Sequence, residues 1–408
     1  MPKYVYNALK TLVLIMFTTT VPLFAGDSLV EALTNGTTSM QIKLAYEYSD
    51  LSDDANLNAA QGLILRTRLG YKTADFNGMS AFVQFHNVSL LQDDFSWPGG
   101  GDPNYSSIAD PDGTRIHQVY LDFSLAQHIM LRVGRQEINL DDARLIGDLD
   151  FRQNGQSFDA LKLTFTGIDN NELSVSYITR VNTIFLTHVS PDQLFLIHDT
   201  YKPSDHVSIT AFGYLLDTES EIADSRDSAT YGTRITADPG PFHMDFTYAL
   251  QGNYGDGENH DADMIMVTTT VKLGKWTVGG GANIFSGQDG DTLPFDTLCS
   301  SAHAFNGWAD QFAGSNGGNI VNGLQDVFVQ ASTSFNGVKF LTVCHWFDTT
   351  DANTYDGTYG NELDILFKKK FNDYLSGEVK LAFYNAENAE NNPTVNEKVL
   401  WIRLNYQF

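Results

Sequence analysis

The sequence has few cysteines, few basic residues and only one concentrated apolar run. Cys299 and Cys344 are its only cysteines, which excludes a disulfide-rich scaffold but leaves one disulfide between them open. Lysine and arginine number 25 against 50 aspartates and glutamates, a formal net charge of −25. Such acidity argues against binding to nucleic acid or to anionic lipid, because like charges repel.

The concentrated apolar run lies in the first 25 residues. Lys3 and Lys10 precede an apolar run over 12–17, and the small residue Ala25 follows at a plausible cleavage point. This pattern predicts a secretory signal peptide over 1–25, and no cysteine follows it to carry a lipid anchor. Beyond it, no apolar run approaches the roughly 18 residues that a membrane-spanning helix needs. We therefore expect an exported chain in which 26–408 form a single domain.

The sequence is rich in segments whose apolar and polar side chains alternate. In the last of them Leu400, Ile402, Leu404, Tyr406 and Phe408 share one face, so the strand can separate lipid from water. Terminal strands of this kind, closed by phenylalanine, resemble the assembly signal of bacterial outer-membrane β-barrels. Eighteen such segments are predicted: 38–49, 60–73, 77–91, 114–126, 128–138, 156–166, 171–182, 193–202, 206–218, 228–237, 242–253, 261–273, 275–286, 324–335, 338–349, 358–371, 374–386 and 395–408.

The gaps between these segments alternate between short and long. Short gaps such as 238–241 and 336–337 contain turn-forming residues, whereas long gaps are acidic and rich in glycine. This rhythm predicts an all-β fold, a transmembrane antiparallel up-and-down β-barrel of about 18 strands in the bacterial outer membrane. A soluble β-sandwich or solenoid explains neither the rhythm nor the terminal phenylalanine. The longest gap, 287–323, is expected to fold over or into the barrel mouth.

The polar face of each strand in such a barrel lines the lumen. In 60–73 the odd-numbered positions are predicted to face lipid, which turns Arg66 and Arg68 inward. A lysine or arginine facing lipid at mid-membrane costs about 2–4 kcal/mol, so this parity is enforced energetically. The same counting places these further basic residues on the lumen side: Lys43, Arg132, Lys162, Arg180, Arg234, Lys368, Lys370, Lys380 and Arg403.

The most informative internal stretch is 132–161. It contains Gly134-Arg135-Gln136, Arg144-Leu145-Ile146-Gly147, Phe151-Arg152-Gln153 and Phe158-Asp159-Ala160. Together with Arg66 and Arg68, this ordered set resembles the alginate-export family of outer-membrane porins. The resemblance implies a monomeric eighteen-stranded barrel with an arginine-rich pore for anionic polysaccharide. It also implies that the constriction is formed by Arg66, Arg68, Arg132, Arg135, Arg144 and Arg152.

Two alternatives concern the arginines and the solute. Arg135 has outward parity and lies near the rim, so it could instead hold the 139–155 loop through Asp142, Asp148 or Asp150, with Asp159 a further anchoring candidate. The acidic loops would repel a polyuronate, and acidic residues are expected in the lumen as well. A general diffusion porin for small solutes is therefore the alternative function. The lumenal acids are Glu47, Asp122, Glu362, Asp364 and Glu378.

Other functional classes have weaker support. The histidines are scattered and none lies in a nucleophile motif, so no enzyme activity and no cofactor are expected. An adhesive barrel and a calcium site over 256–263 are further alternatives, although that run lacks EF-hand spacing. The expected partners are outer-membrane lipid and lipopolysaccharide, a small-molecule or oligosaccharide solute, the barrel-assembly machinery and periplasmic export proteins.

Overall fold

The computed structural model describes residues 28–51, 57–218, 226–255, 257, 259–313, 321–351 and 355–408. The signal peptide predicted over 1–25 lies outside these residues. Within the described chain, eighteen long strands form one antiparallel sheet. They are β1 Thr37–Leu51, β2 Ala60–Lys72, β3 Met79–Asp94, β4 Gly113–Ala126, β5 Ile129–Gln136, β6 Ser157–Phe165, β7 Asn171–Asn182, β8 Gln193–Ser204, β9 Val207–Asp217, β10 Ser228–Ala237, β11 Phe242–Asn253, β12 Asp261–Leu273, β13 Trp276–Phe285, β14 Leu324–Phe335, β15 Val338–Asp348, β16 Thr358–Lys370, β17 Leu375–Ala386 and β18 Glu397–Gln407.

The sheet closes on itself where β1 pairs with β18. Gln41 lies opposite Gln407, and the antiparallel register continues to Leu51 opposite Glu397. Closure leaves no unpaired strand edge, which is required where no water can hydrogen-bond the backbone. The prediction of an up-and-down barrel of about eighteen strands is confirmed, and each predicted strand overlaps an observed one.

Side chains alternate between the two faces of the barrel wall. In β2, Ala60, Ile64 and Arg68 are buried on the inner face, whereas Leu69 of the outer face is 49 % exposed. The outer face carries the large apolar side chains that would contact lipid. The period-two pattern of the sequence therefore determines which side chains face the lumen.

Short turns lie at one rim of the barrel and long connections at the other. Asn336 and Gly337 both have positive φ, +49° and +76°, as a two-residue hairpin with type I′ geometry requires. The start of β1 and the end of β18 lie at this short-turn rim, which faces the periplasm in outer-membrane barrels. Aromatic residues are exposed around it, as expected of an interfacial girdle: Tyr201, Phe242, Trp276, Phe335, Phe371, Tyr374 and Phe408.

The minor elements of the described chain are one helix, one 3₁₀ turn and three two-residue strands, of which His188–Val189 pairs with β7. Helix α1, Leu29–Thr34, precedes β1 and begins with a capping box in which Ser28 and Glu31 each accept from the other's backbone N–H. A 3₁₀ turn spans Ala302–Ala304, and two-residue strands lie at Ser96–Trp97, Gly100–Gly101 and His188–Val189. No helix among the described residues is long and apolar enough to cross a bilayer.

Two long connections fold into the barrel and pack against the inner face of its wall. We call residues 137–156 the first inward segment and residues 286–313 the second inward segment. Phe295 packs on Phe285 of β13, and Phe312 packs 4.6 Å from Phe347 of β15 between ring centroids. The expectation that the 287–323 connection enters the barrel is met by its described part; residues 314–320 lie outside the described chain.

The two faces of β14 provide a test of the barrel parity. Val329 is 51 % exposed on the outer face near the middle of the strand, and Gln330 faces the lumen. We expect Val329→Arg to cost about 2–4 kcal/mol of unfolding free energy, because the guanidinium would lie in hydrocarbon. Gln330→Arg should cost much less. Urea unfolding in phospholipid vesicles measures both, and equal losses would contradict the assignment of the faces.

Candidate solute passage

The first inward segment is held against the barrel wall by an ion-pair cluster around Asp150. Its Oδ1 atom accepts from Arg66 Nη1 at 2.6 Å and lies 2.8 Å from Arg68 Nη1. Lys43 Nζ donates to the Asp150 backbone carbonyl at 2.7 Å. Burial by itself would raise the pKa of this carboxyl, but Lys43, Arg66 and Arg68 outweigh that effect and hold the pKa well below its usual range. Asp150 is therefore ionised at physiological pH.

Arg152 joins the two inward segments to the wall. Its guanidinium donates to Glu47 of β1 at 3.0 Å and to Asp310 of the second inward segment at 2.8 Å. Burial disfavours the charge of Arg152, yet the carboxylates of Glu47, Asp310 and Asp110 raise its pKa above the ordinary arginine value. The segments also pair through backbone, where the Gly147 N–H donates to the Cys299 carbonyl at 2.9 Å.

An aromatic stack lies beside these ion pairs. The Phe151 ring stacks on His303 with centroids 3.2 Å apart, and the Arg403 guanidinium carbon lies 3.6 Å from the Phe151 centroid. His303 accepts from Lys380 at 2.5 Å and donates from Nδ1 to Asp310 at 2.8 Å. Burial lowers the pKa of His303 well below its usual value, so it is neutral and fits this tautomer.

Two cavities lie on opposite sides of residues 149–152. The inner cavity, about 720 Å³, opens at the short-turn rim, and the outer cavity, about 730 Å³, lies towards the long connections. Asp150 and Phe151 line the inner cavity, whereas Leu149 and Arg152 line the outer one. Within the described chain no residue lines both. Residues 149–152 of the first inward segment therefore separate the two cavities, and we call this point the constriction.

The two cavities differ in chemistry. The inner cavity is lined by six basic and three acidic side chains, an excess of positive charge inside an acidic chain. The outer cavity is largely apolar, with Trp308 and Trp401 in its wall and Glu47, Asp310 and Glu397 among its charged groups. The inner basic residues are Lys43, Arg66, Lys339, Lys368, Lys370 and Arg403, and the acidic ones are Asp150, Asp373 and Glu378.

The remaining inward basic residues pair with carboxylates or line side cavities. Arg132 makes a bidentate pair with Asp122 at 2.6 and 3.0 Å. Arg234 pairs with Asp245 and lies 3.5 Å from Asp142. Lys162 lines a cavity of about 520 Å³ beside the first inward segment. Lys368 and Arg403 both contact Glu378, at 3.5 and 3.4 Å.

The prediction that Arg180 faces the lumen is wrong. A β-bulge between β6 and β7 pairs Asp159 with Arg180 but Ala160 with Ile178, so the parity of β7 reverses beyond it. Arg135, Asp159 and Arg180 therefore share the outer face near the long-connection rim. Arg135 makes a bidentate pair with Asp159 at 2.6 and 3.1 Å, and Arg180 lies 3.9 Å from it.

The anchoring of the first inward segment also differs from expectation. Arg135 contacts neither Asp142, Asp148 nor Asp150; it binds Asp159 of the neighbouring strand. Asp142 and Asp150 do anchor the segment, but to Arg234, Arg66 and Arg68. Asp148 accepts from Asn139 within the segment at 2.9 Å. Asp159 lies on β6 and so anchors no part of the segment.

Arg144 does not line either of the two main cavities. Its guanidinium carbon lies 4.5 and 4.8 Å from the ring centroids of Phe285 and Phe305, and the residue is 2 % exposed. Burial lowers the pKa of Arg144 to about 10. As a cation over aromatic faces, Arg144 packs the first inward segment against Phe285 of β13 and Phe305 of the second inward segment.

The sequence pattern does not point to several residues of the passage. Phe151 belongs to a motif that assigns it no role, and His303 and Asp310 lie in a long gap without a recognisable pattern. The inward position of Lys339 can be predicted from the sequence, because the alternation in 338–349 places it on the same face as His345. No local signal connects His303 to Phe151, since the contact joins two separate connections.

The two cysteines lie on opposite sides of the wall and are free. Cys299 is in the second inward segment, where burial raises its thiol pKa to about 11. Cys344 of β15 alternates with the inward residues Val343 and His345, so it faces outward. A disulfide between them is excluded in this fold. As for the calcium candidate over 256–263, Asp256 and Glu258 lie outside the described chain, and no described cluster of three or more His, Cys, Asp or Glu side chains could hold a metal.

Comparison with known proteins decides the family. The model of the alginate export family matches residues 37–283, more than half of the chain. The chain belongs to the alginate export family. Family and fold are those of outer-membrane channels of the porin type rather than enzymes, and place this protein in the bacterial outer membrane. Among curated proteins, none matches the sequence.

Solved structures share the fold of this family member at low sequence identity. Acinetobacter baumannii OccAB4 is 15 % identical with a TM-score of 0.70, covering 91 % of this chain and 98 % of that one. OccAB3 from the same organism is 14 % identical with a TM-score of 0.71, covering 92 % and 99 %. Pseudomonas aeruginosa OccK9 (OpdG) is 13 % identical with a TM-score of 0.71, again covering 92 % and 99 %.

The arginine that links the inward segments provides a prediction. Arg152→Met leaves the buried Glu47 carboxylate without its charged partner, which costs about 3–5 kcal/mol for a buried pair. We expect lower stability to urea and faster proteolysis within 139–155. The matched control is Arg180→Met, which removes a half-exposed arginine from the outer face. Equal effects of the two substitutions would contradict the linking role of Arg152.

Proposed function

We propose that this channel passes small hydrophilic anions, with uronates and other acidic saccharides as the substrate class. The observation that carries the proposal is the inner cavity, where six basic side chains outnumber three acidic ones in a chain of net charge −25. Arginine suits this role because its planar fork binds carboxylates and stays charged at any relevant pH. Successive weak sites allow an anion to move on rather than remain trapped.

The size of the solute follows from the constriction. Residues 149–152 separate the inner and outer cavities, and Phe151 is held between His303 and Arg403. The outer cavity is lined by Glu47, Asp310 and Glu397 together with Arg152 and Arg226, so it lacks the excess of basic side chains that a continuous polyanion would need. Monomeric or short acidic saccharides therefore fit this lumen better than a continuous polyuronate strand. A general porin for small solutes is the second candidate, supported by the same mixture of charges.

Assembly and export complete the proposal. The signal peptide over 1–25 directs the chain to the periplasm, and the C-terminal strand β18 presents the sequence feature that the barrel-assembly machinery reads. One closed barrel contains both cavities, which supports function as a monomer. Contacts with lipopolysaccharide and with periplasmic export partners would lie at the outer and inner rims.

Ion selectivity tests the proposed function. In a planar bilayer under a salt gradient, the reversal potential of the wild-type protein should indicate anion selectivity, and glucuronate should block the current. Replacing Lys339, Lys368 and Lys370 by glutamine should shift selectivity towards cations, since these lysines line the inner cavity.

The control carries Arg135→Gln and Arg180→Gln on the outer face, where selectivity should not change. Oligouronates of increasing length identify the solute size, because block that weakens with length indicates small solutes. Cation selectivity of the wild-type channel would overturn the anion proposal and leave the general porin.

A further inference from the structure

Three cations of the barrel wall are buried at the constriction. Arg66 and Arg68 lie two positions apart on the inner face of β2, and Lys43 lies opposite Arg66 on β1. Their exposed fractions are 3 %, 3 % and 6 %. Arg68 also donates from Nε to His86 at 2.9 Å and lies 3.3 Å from Glu137. Buried cations of this kind need counter-charge, because an unpaired charge removed from water is costly.

Asp150 supplies that counter-charge from the cavity side. Its Oδ1 atom lies within 2.8 Å of both arginines, yet 45 % of its side-chain surface is exposed. Asp150, Arg66 and Lys43 all line the inner cavity. The carboxylate therefore stands between the buried arginines and the space through which a solute from the periplasmic rim arrives.

We propose that Asp150 occupies a carboxylate-binding position formed by Arg66 and Arg68, and that the carboxylate of a passing solute displaces it there. This inference rests on the proposed passage of anions and adds the residue that controls it. One carboxylate replaces another, so the buried arginines keep a counter-ion throughout the exchange. Because the Asp150 carboxylate competes for the same arginines, the solute binds more weakly and is released more readily.

The backbone around Asp150 allows its carboxylate to leave the arginines without movement of the segment. Leu149 has φ +53°, a left-handed conformation that side-chain-bearing residues rarely adopt. The Leu149 N–H donates to Ser301 Oγ, and the Asp150 N–H donates to Asp148 Oδ1. The backbone of 149–150 is thus fixed independently of the Asp150 carboxylate, so the side chain can leave the arginines while the segment stays in place.

Chemical rescue distinguishes this role from simple anchoring. In Asp150→Ala, acetate or formate added on the inner-cavity side should bind between Arg66 and Arg68. The variant should be more anion-selective than wild type, and added acetate should return its reversal potential to the wild-type value. Wild type should require at least tenfold more acetate for any comparable change, because its own carboxylate competes.

Two further variants sharpen the test. Asp373→Ala removes another carboxylate that lines the inner cavity, where it contacts Lys370, and it should show no rescue. Combining Asp150→Ala with Arg66→Gln and Arg68→Gln should abolish rescue. If the alanine variant fails to fold, Asp150→Asn, which keeps the side-chain shape, takes its place in the same measurements. Acetate should also raise the unfolding temperature of the Asp150 variant more than that of wild type, since ligand binding stabilises the folded state.

The outcomes separate this inference from the proposed function. Absence of any acetate effect on the Asp150 variants, or an equal effect on wild type, would overturn the displacement proposal. Rescue in a channel whose wild type prefers cations would support the carboxylate position and reject anion passage as the function. Anion selectivity without rescue would retain the proposed function and make Asp150 an anchor only.

Discussion

Inside a bilayer, where no water is available, every backbone N–H and C=O must be hydrogen-bonded within the protein. Pairing of β1 with β18 satisfies this requirement by closing the sheet, from Gln41 opposite Gln407 to Leu51 opposite Glu397. Closure then creates two environments separated by one layer of backbone. Side chains alternate between lipid and lumen, so every charge in a strand interior is directed inward unless the register is broken.

The lumen of this barrel is divided by its own connections. The two inward segments meet through Gly147 and Cys299 and through the pair of Arg152 with Asp310. Most basic side chains there face a carboxylate, so charge is largely balanced within the constriction. Excess positive charge remains in the inner cavity, whose lysines lie near the short turns. An acidic protein can thus present a basic entrance, because selectivity depends on local field rather than net charge.

Charge on the outer face follows a different rule. Arg135, Asp159 and Arg180 lie outside the barrel near the long-connection rim, where the membrane interface is polar. The free-energy cost of a charged side chain on the outer face is lower there than at mid-membrane. The bulge at Asp159 is what brings Arg180 to this face. Its position shows how a single extra residue redirects the side chains that follow it.

The sequence predicts the barrel, its eighteen strands and the inward direction of Arg66, Arg132 and Arg403, because a period of two is a local property. It also located the hairpin at Asn336 and Gly337, whose backbone preferences are intrinsic. The partners of those arginines, in contrast, depend on the folded arrangement of the connections. Arg66 meets Asp150 across 84 residues, and Phe151 meets His303 from another connection. Such contacts depend on how long segments fold into a closed lumen, which no local pattern specifies.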